Sequence, residues 1–130
     1  MNDIEEATRL TVEFAKSLIR EMQALGTPWQ KAFLRAEFGD GEETYKGSFV
    51  LDGGVYLIDV LEHRAFFAAV RELVPQLRDA SATGDRRFCV ALLVVDSTFD
   101  YEVKYEYADS GRWAISKFGG ASGIPVGYEL

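Results

Sequence analysis

Apolar side chains recur at steps of three and four over the first 25 residues, which is the spacing of an amphipathic helix. The stripe consists of Ile4, Ala7, Leu10 or Thr11, Phe14, Leu18, Met22 and Leu25. Glu5 and Glu6 lie in the first turn, where carboxylates favour the positive end of a helix. Gly26, followed by Thr27 and Pro28, gives a stop signal. The chain is therefore predicted to open with a helix that packs one face on a core.

The period changes to two after this helix, as in half-buried strands. One face of the first strand would carry Ala32, Leu34, Ala36 and Phe38, and the other Lys31, Phe33, Arg35 and Glu37. A turn over residues 39–43 leads to a second strand at residues 45–51. Asp52-Gly53-Gly54 predicts a tight hairpin into a third strand at residues 55–60. These segments predict an antiparallel meander.

A second stretch of helical spacing follows and predicts a helix across the sheet. Its apolar positions are Leu61, Ala65, Phe66, Ala69, Val70, Leu73 and Leu77. Pro75 falls inside this stretch, where a proline lacks a backbone donor and clashes with the preceding turn. A kink or an early stop near Glu72 is therefore predicted, which would leave the helix in two pieces.

Three further strands are predicted in the second half of the chain. Residues 88–95 are almost all apolar and predict a central strand. The next strand alternates between an apolar face of Phe99, Tyr101, Val103, Tyr105 and Tyr107 and a charged face of Asp100, Glu102, Lys104 and Glu106. Trp113, Ile115 and Phe118 indicate one more short strand. The predicted fold is α+β in the order α-β-β-β-α-β-β-β, with an antiparallel sheet of about six strands and both helices on one face.

Residues 1–130 are expected to form a single domain, because one core suffices at this length. Cys89 is the only cysteine, which excludes an internal disulfide and favours a reducing compartment. The acidic N-terminus lacks the basic and apolar regions of a secretory signal. The longest apolar run, residues 90–95, is far shorter than the ~20 residues of a membrane span. A cytoplasmic location is therefore expected.

A formal net charge of −7 limits the classes of partner. Such a surface repels phosphate backbones and anionic headgroups, so neither nucleic acid nor a membrane is an expected partner. A basic protein is attracted instead, because opposite net charges raise association rates. Acidity also simply keeps a protein soluble. The charge therefore favours a basic protein partner without identifying it.

No set of residues in the sequence predicts catalysis. His63 is the only histidine, so a triad or a zinc site would depend entirely on it, and a surface position in the first turn of the second helix is expected instead. Cys89 borders an apolar strand and is expected to be an inert core thiol. The glycine-rich segments at 39–41 and 119–123 lack the Lys-Ser/Thr of a phosphate-binding loop. The chain is predicted to be a non-enzyme without metal or cofactor.

Carboxylates cluster in two segments of the predicted sheet. Residues 96–109 hold five acids and one lysine, and residues 37–46 hold four acids and one lysine. If both strands turn these side chains to one face, much of the acidity is concentrated there, although a polar sheet face in water is the simpler interpretation. The candidate partner-binding residues are Glu37, Asp100, Glu102, Glu106 and Asp109 as charge complements, with Tyr107 and Trp113 as aromatic anchors.

Two motifs resemble the YezG-like family of bacterial immunity proteins. The Trp-led strand motif is carried by Trp29, Lys31, Leu34, Ala36 and Glu37, and the Tyr-rich strand motif by Tyr101, Tyr105, Tyr107 and Asp109. The order and spacing of these parts are similar to the family over nearly the whole chain. The resemblance implies an antitoxin that binds and silences the toxin domain of a secreted toxin, often a nuclease, inside the producing cell.

Two other functions stay open from the sequence. A pocket between helix and sheet, with Tyr101, Tyr105 or His63, would suit a small-ligand-binding or enzymatic domain. An exposed sheet edge would suit a homo-oligomer without any toxin. A ligand that raises thermal stability would indicate the first function, and a monomer at micromolar concentration would exclude the second.

Overall fold

The chain has an α+β fold, as the sequence predicts, in a computed structural model that describes residues 3–129. Its elements are α1 (Asp3–Gln23), β1 (Trp29–Gly39), β2 (Glu42–Leu51), β3 (Gly54–Leu57), α2 (Arg64–Ala80), β4 (Val90–Asp96) and β5 (Tyr101–Glu106), with a short 3-10 helix at Phe118–Gly120. The strands form one antiparallel sheet in the order β3-β2-β1-β4-β5. No helix within residues 3–129 is long and apolar enough to cross a membrane.

Two Asp-Gly turns set the register of the first three strands. Asp40 and Gly41 join β1 to β2 with φ angles of 47° and 78°, and Asp52 and Gly53 join β2 to β3 with φ angles of 50° and 76°. Two successive left-handed residues suit the right-handed twist of a hairpin, and glycine and aspartate adopt this conformation most readily. Both turns agree with the sequence prediction, and they fix which face of each strand points inward.

Both helices pack on the same face of the sheet. The stripe predicted for α1 supplies Phe14, Leu18 and Met22, which are fully buried. The same core includes Leu34 and Ala36 of β1, Leu93 and Val95 of β4, and Phe67, Val70, Val74 and Leu77 of α2. The alternation predicted for the first strand is therefore confirmed on this face.

α2 continues without a break through Pro75, so the predicted early stop and division into two pieces are wrong. Val70, Val74 and Leu77 are fully buried on both sides of the proline. An interior proline costs ~3 kcal/mol or more, whereas each buried aliphatic side chain contributes about 1.5–3 kcal/mol. Tertiary packing thus outweighs the local signal at Pro75.

The C-terminal segment, residues 107–129, covers the opposite face of the sheet without forming a strand. The short strand expected at Trp113, Ile115 and Phe118 is replaced by turns and irregular chain. Trp113 has a φ of 61°, which is incompatible with a strand, and it is buried together with Ile115. Their apolar neighbours on the sheet are Phe33, Val50, Val90, Leu92 and Val94. The sheet therefore has five strands, with β1 and β4 covered on both faces.

β2 holds a position where the available space requires glycine. A Cβ on Gly47 would lie 2.7 Å from Cδ1 of Ile58 and 2.9 Å from the backbone oxygen of Phe33. Gly47→Ala is therefore expected to lower the free energy of unfolding by roughly 1–3 kcal/mol, as overpacking does in other cores. Urea denaturation measures this change.

Ser48→Ala is the matched control one residue away. The Ser48 hydroxyl is fully buried and has no hydrogen-bond partner in the part of the chain that the structure describes. Its removal is expected to leave stability unchanged or higher, because an unpaired buried polar group costs about 1–3 kcal/mol. Equal loss of stability in both variants would contradict the packing described for β2.

Candidate protein-binding surface

Within residues 3–129, no strand pairs with the outer edge of β5. The backbone nitrogen of Asp96 donates to the oxygen of Asp100 (3.0 Å), and that of Cys89 donates to the oxygen of Glu106 (2.7 Å). Hydrogen bonding alternates along an antiparallel strand, so the even-numbered residues of β5 bond to β4. The residues whose backbone N–H and C=O groups point away from the sheet are therefore Tyr101, Val103 and Tyr105.

The hairpin between β4 and β5 presents a strained aromatic residue at its tip. Phe99 has a φ of 73° and is 53% exposed. One carboxylate oxygen of Asp96 holds this turn by accepting hydrogen bonds from Thr98 N (2.8 Å), Thr98 Oγ1 (2.5 Å) and Asp100 N (3.2 Å). The bond from the Thr98 hydroxyl is the main cause that lowers the pKa of Asp96. Left-handed backbone is rare for a bulky residue and often occurs at functional positions.

Three depressions surround β5, and Tyr101 lines each of them. An apolar groove of about 360 Å³ lies between Ile19 of α1 and Phe99. A polar depression of about 390 Å³ lies between Lys31 and Glu102. A third depression of about 460 Å³ lies between the start of α1 and the end of α2. The edge strand is thus flanked by concave surface on both faces of the sheet.

Asp100 and Glu102 place free carboxylates on this edge. Both residues are exposed, and within residues 3–129 neither side chain makes a hydrogen bond or an ion pair. Tyr107 lies beyond the other end of β5, where it is 37% exposed and has the Arg86 guanidinium 4.8 Å from its ring centre. These three predicted partner-binding residues are therefore accessible.

Glu106 and Asp109, by contrast, are used inside the protein. The Glu106 side chain is 14% exposed and accepts hydrogen bonds from the backbone nitrogens of Asp109 (3.0 Å) and Ala108 (2.9 Å) and from Nη1 of Arg112 (2.7 Å). The bond from Asp109, followed by the pair with Arg112, lowers the pKa of Glu106 to about 2. Asp109 Oδ1 accepts a bond from the nitrogen of Gly111 (2.9 Å). Both carboxylates hold the start of the C-terminal segment.

Arg35 fastens the C-terminal segment to β1. In the alternating pattern of β1, Arg35 falls on the face with charged residues, yet it is only 6% exposed. The guanidinium donates to Glu37 Oε1 (2.6 Å), to the oxygen of Ser110 (2.6 Å) and to the oxygen of Arg112 (2.8 Å). Glu37 is therefore an internal partner of Arg35 and not a free charge complement.

The predicted acidic face is divided between the two ends of the sheet. Glu37 and Glu106 both align with Val90 of β4, whereas Glu102 aligns with Val94. Four residues of strand separate the two ends by roughly 13 Å. Trp113 is 6% exposed and belongs to the core, so its ring is not accessible as the predicted anchor. Carboxylates at the Val94 end remain free to meet a partner.

The residues considered for catalysis or metal binding do not form a site within the described residues. His63 Nδ1 lies 2.6 Å from Oε2 of Glu21, and the His63 side chain is only 13% exposed. The surface position predicted for His63 is therefore wrong. Burial, followed by the charge of Glu106, raises the pKa of the Cys89 thiol, which agrees with an inert thiol. Within the described residues, no group of three or more His, Cys, Asp or Glu side chains is placed to hold a metal ion.

No protein-family model matches the chain, and no curated protein matches it. The function of the protein is therefore inferred from this surface and from the resemblance of its two sequence motifs.

Arg35→Met is expected to destabilise the protein, because Glu37 and two backbone oxygens lose their donor. Breaking a buried pair costs about 3–5 kcal/mol, and because the Glu37 side chain is 35% exposed we expect roughly 2 kcal/mol by urea denaturation. Lys46→Met is the control, since Lys46 is exposed and aligns with Arg35 on β2. Equal stability of the two variants would contradict the anchoring role of Arg35.

Glu106→Gln is expected to change the acid dependence of stability. The folded pKa of about 2 lies below the ordinary value of 4.5, so the ionised carboxylate stabilises the fold above pH 4.5. This contribution is lost as the pH falls from 4.5 through about 2. Thermal unfolding between pH 7 and pH 2 should therefore show a smaller loss in Glu106→Gln than in the wild type. Parallel profiles would show that Glu106 is not held as described.

Proposed function

We propose that this protein is an immunity protein that binds a basic toxin domain one-to-one and blocks its active site. Its contact surface is the edge surface, which consists of Phe99, Asp100, Tyr101, Glu102 and Val103. The observation that carries the proposal is that unpaired backbone groups, exposed aromatic rings and free carboxylates coincide on this short stretch. Aromatic anchors supply affinity in interfaces, and complementary charges supply specificity and speed.

The charge distribution supports a basic partner. The net charge of −7 attracts a basic protein over long range, and the carboxylates of Asp100 and Glu102 meet it at short range. Glu37 and Glu106 add to the long-range field, but Arg35 and Arg112 already pair with them. Asp100 and Glu102 are therefore the acids that gain most from a new partner.

A toxin with a nucleic-acid substrate fits this surface. A groove that binds phosphate groups is basic, so an acidic strand with aromatic side chains can occupy it in place of the substrate. The resemblance of the Trp-led and Tyr-rich motifs to YezG-like immunity proteins supports the same partner. Tyr101 of the Tyr-rich motif lies at the centre of the edge surface, 44% exposed.

A small-ligand-binding function is the second candidate. The apolar groove of about 360 Å³ between α1 and Phe99 is the observation that favours it. Tyr101 lines this groove, whereas His63 pairs with Glu21 instead. A thermal-shift screen of metabolites separates the two functions: a stabilising ligand that Phe99→Ala no longer binds would favour this candidate over the toxin.

Reversal of one free carboxylate tests the immunity proposal. A pull-down from the native host with the wild type as bait should capture a basic protein whose toxic activity is lost in the complex. Glu102→Lys is expected to slow association with this protein by about tenfold at low salt, because it removes steering at the contact. Stopped-flow measurements at two salt concentrations report the rate.

Glu62→Lys makes the same charge change in the turn between β3 and α2, outside the edge surface. It alters the net charge equally but lies away from the edge surface, so a much smaller effect is expected. Equal rates for the two variants would show that net charge alone acts, and that the edge surface is not the contact.

A further inference from the structure

We propose that the partner binds by adding a strand to β5, so that an extended segment of the partner becomes the sixth strand of the sheet. This inference rests on the proposed function, because it names the binding mode of the same surface. Strand addition uses backbone hydrogen bonds for affinity and pockets at alternate side chains for specificity. Both requirements are met at β5.

The two edges of the sheet differ in how far they are covered. β3 is four residues long, and Nζ of Lys117 donates to the backbone oxygen of Val55 (2.8 Å). Gly123 packs so closely on this strand that a Cβ there would lie 2.9 Å from Cγ1 of Val55. β5 is six residues long, and the outward backbone groups around Val103 have no partner in the described part of the chain. A long unpaired edge readily pairs with another chain.

A depression lies between the helices and the helix-facing side of β5. The depression of about 460 Å³ is lined on the helix side by residues of α1 and by residues 80–83, and on the sheet side by Tyr101 and Tyr105. Ile4 of α1 lines it and is 78% exposed. A neighbouring strand lies about 4.8 Å from β5, which brings its inward side chains over this depression. Side chains of a sixth strand on the helix side would therefore have room to pack beside Ile4 and the two tyrosines.

The occupant is a basic extended segment with small apolar side chains at alternate positions. Its inward side chains meet Ala7, Thr8 and the tyrosines of the depression. The side chains on its other face lie beside Glu102. The free carboxylate of Glu102 favours lysine or arginine at the cross-strand position. A second copy of this chain is a poor occupant, because it brings another net charge of −7 to the same edge.

The probe is the peptide acetyl-Lys-Val-Lys-Val-Lys-Val-Lys-amide with a fluorescent label, titrated with the full chain and followed by anisotropy. Val103→Pro removes an outward donor, and since the Val103 nitrogen does not bond to β4, the sheet keeps its own hydrogen bonds. Val103→Thr keeps the donor and is the matched control. We expect saturable binding to the wild type and to Val103→Thr, and about tenfold weaker binding to Val103→Pro.

A second peptide of the same sequence, methylated at alternate backbone nitrogens, repeats the test on the wild-type protein. It has the same charge but cannot complete the ladder, so about tenfold weaker binding is expected whether or not Val103→Pro folds. Lack of saturable binding, or equal binding by both peptides, would overturn strand addition. A dimer in sedimentation equilibrium that Val103→Pro dissociates would also overturn it, because the occupant would be a second copy.

The host pull-down, run with the wild type and with Val103→Pro as baits, tests strand addition separately from the proposed function. A toxin captured equally by the wild type and by Val103→Pro would exclude strand addition and leave the immunity function standing. Peptide binding with the expected loss in Val103→Pro, but without any toxin captured, would support strand addition and contradict the choice of partner.

Discussion

The apolar faces of β1 and β4 are the constraint on which the rest of the structure depends. Both strands are buried on two sides, so the sheet requires two covers. α1 and α2 supply one cover, and the C-terminal segment supplies the other without a strand of its own. Arg35 fastens this second cover at the centre of the sheet, through Glu37 and the backbone oxygens of Ser110 and Arg112.

The second cover also decides which charges face solvent. Its attachment takes up Glu37 and Glu106 at one end of the sheet, and Asp109 within the segment itself. Asp100 and Glu102 lie at the other end, where the segment does not pair with them. The proposed contact surface is therefore what the packing leaves open: an edge strand with free carboxylates and exposed aromatic rings, rather than a whole acidic face.

The regular elements were predictable because their signals are local and repeat. The stripe of α1, the alternation of β1 and β5 and the two Asp-Gly turns each follow from neighbouring residues. The burial of Arg35 was not, because its backbone partners Ser110 and Arg112 lie more than 70 positions further along the chain. The burial of Trp113 was not either, because it packs on sheet residues that are not its neighbours in the sequence. One signal pointed to it: residues 90–95 are apolar on both faces, and two helices on one face leave the other in need of a cover.

The most direct test of the open edge is amide hydrogen exchange in the free protein, measured by NMR. If β5 is unpaired on its outer side, the amides of Tyr101, Val103 and Tyr105 exchange fast, whereas those of Glu102, Lys104 and Glu106 are protected by β4. Slow exchange at all six positions would contradict an open edge, because another segment or a second copy would then already occupy the place proposed for the partner.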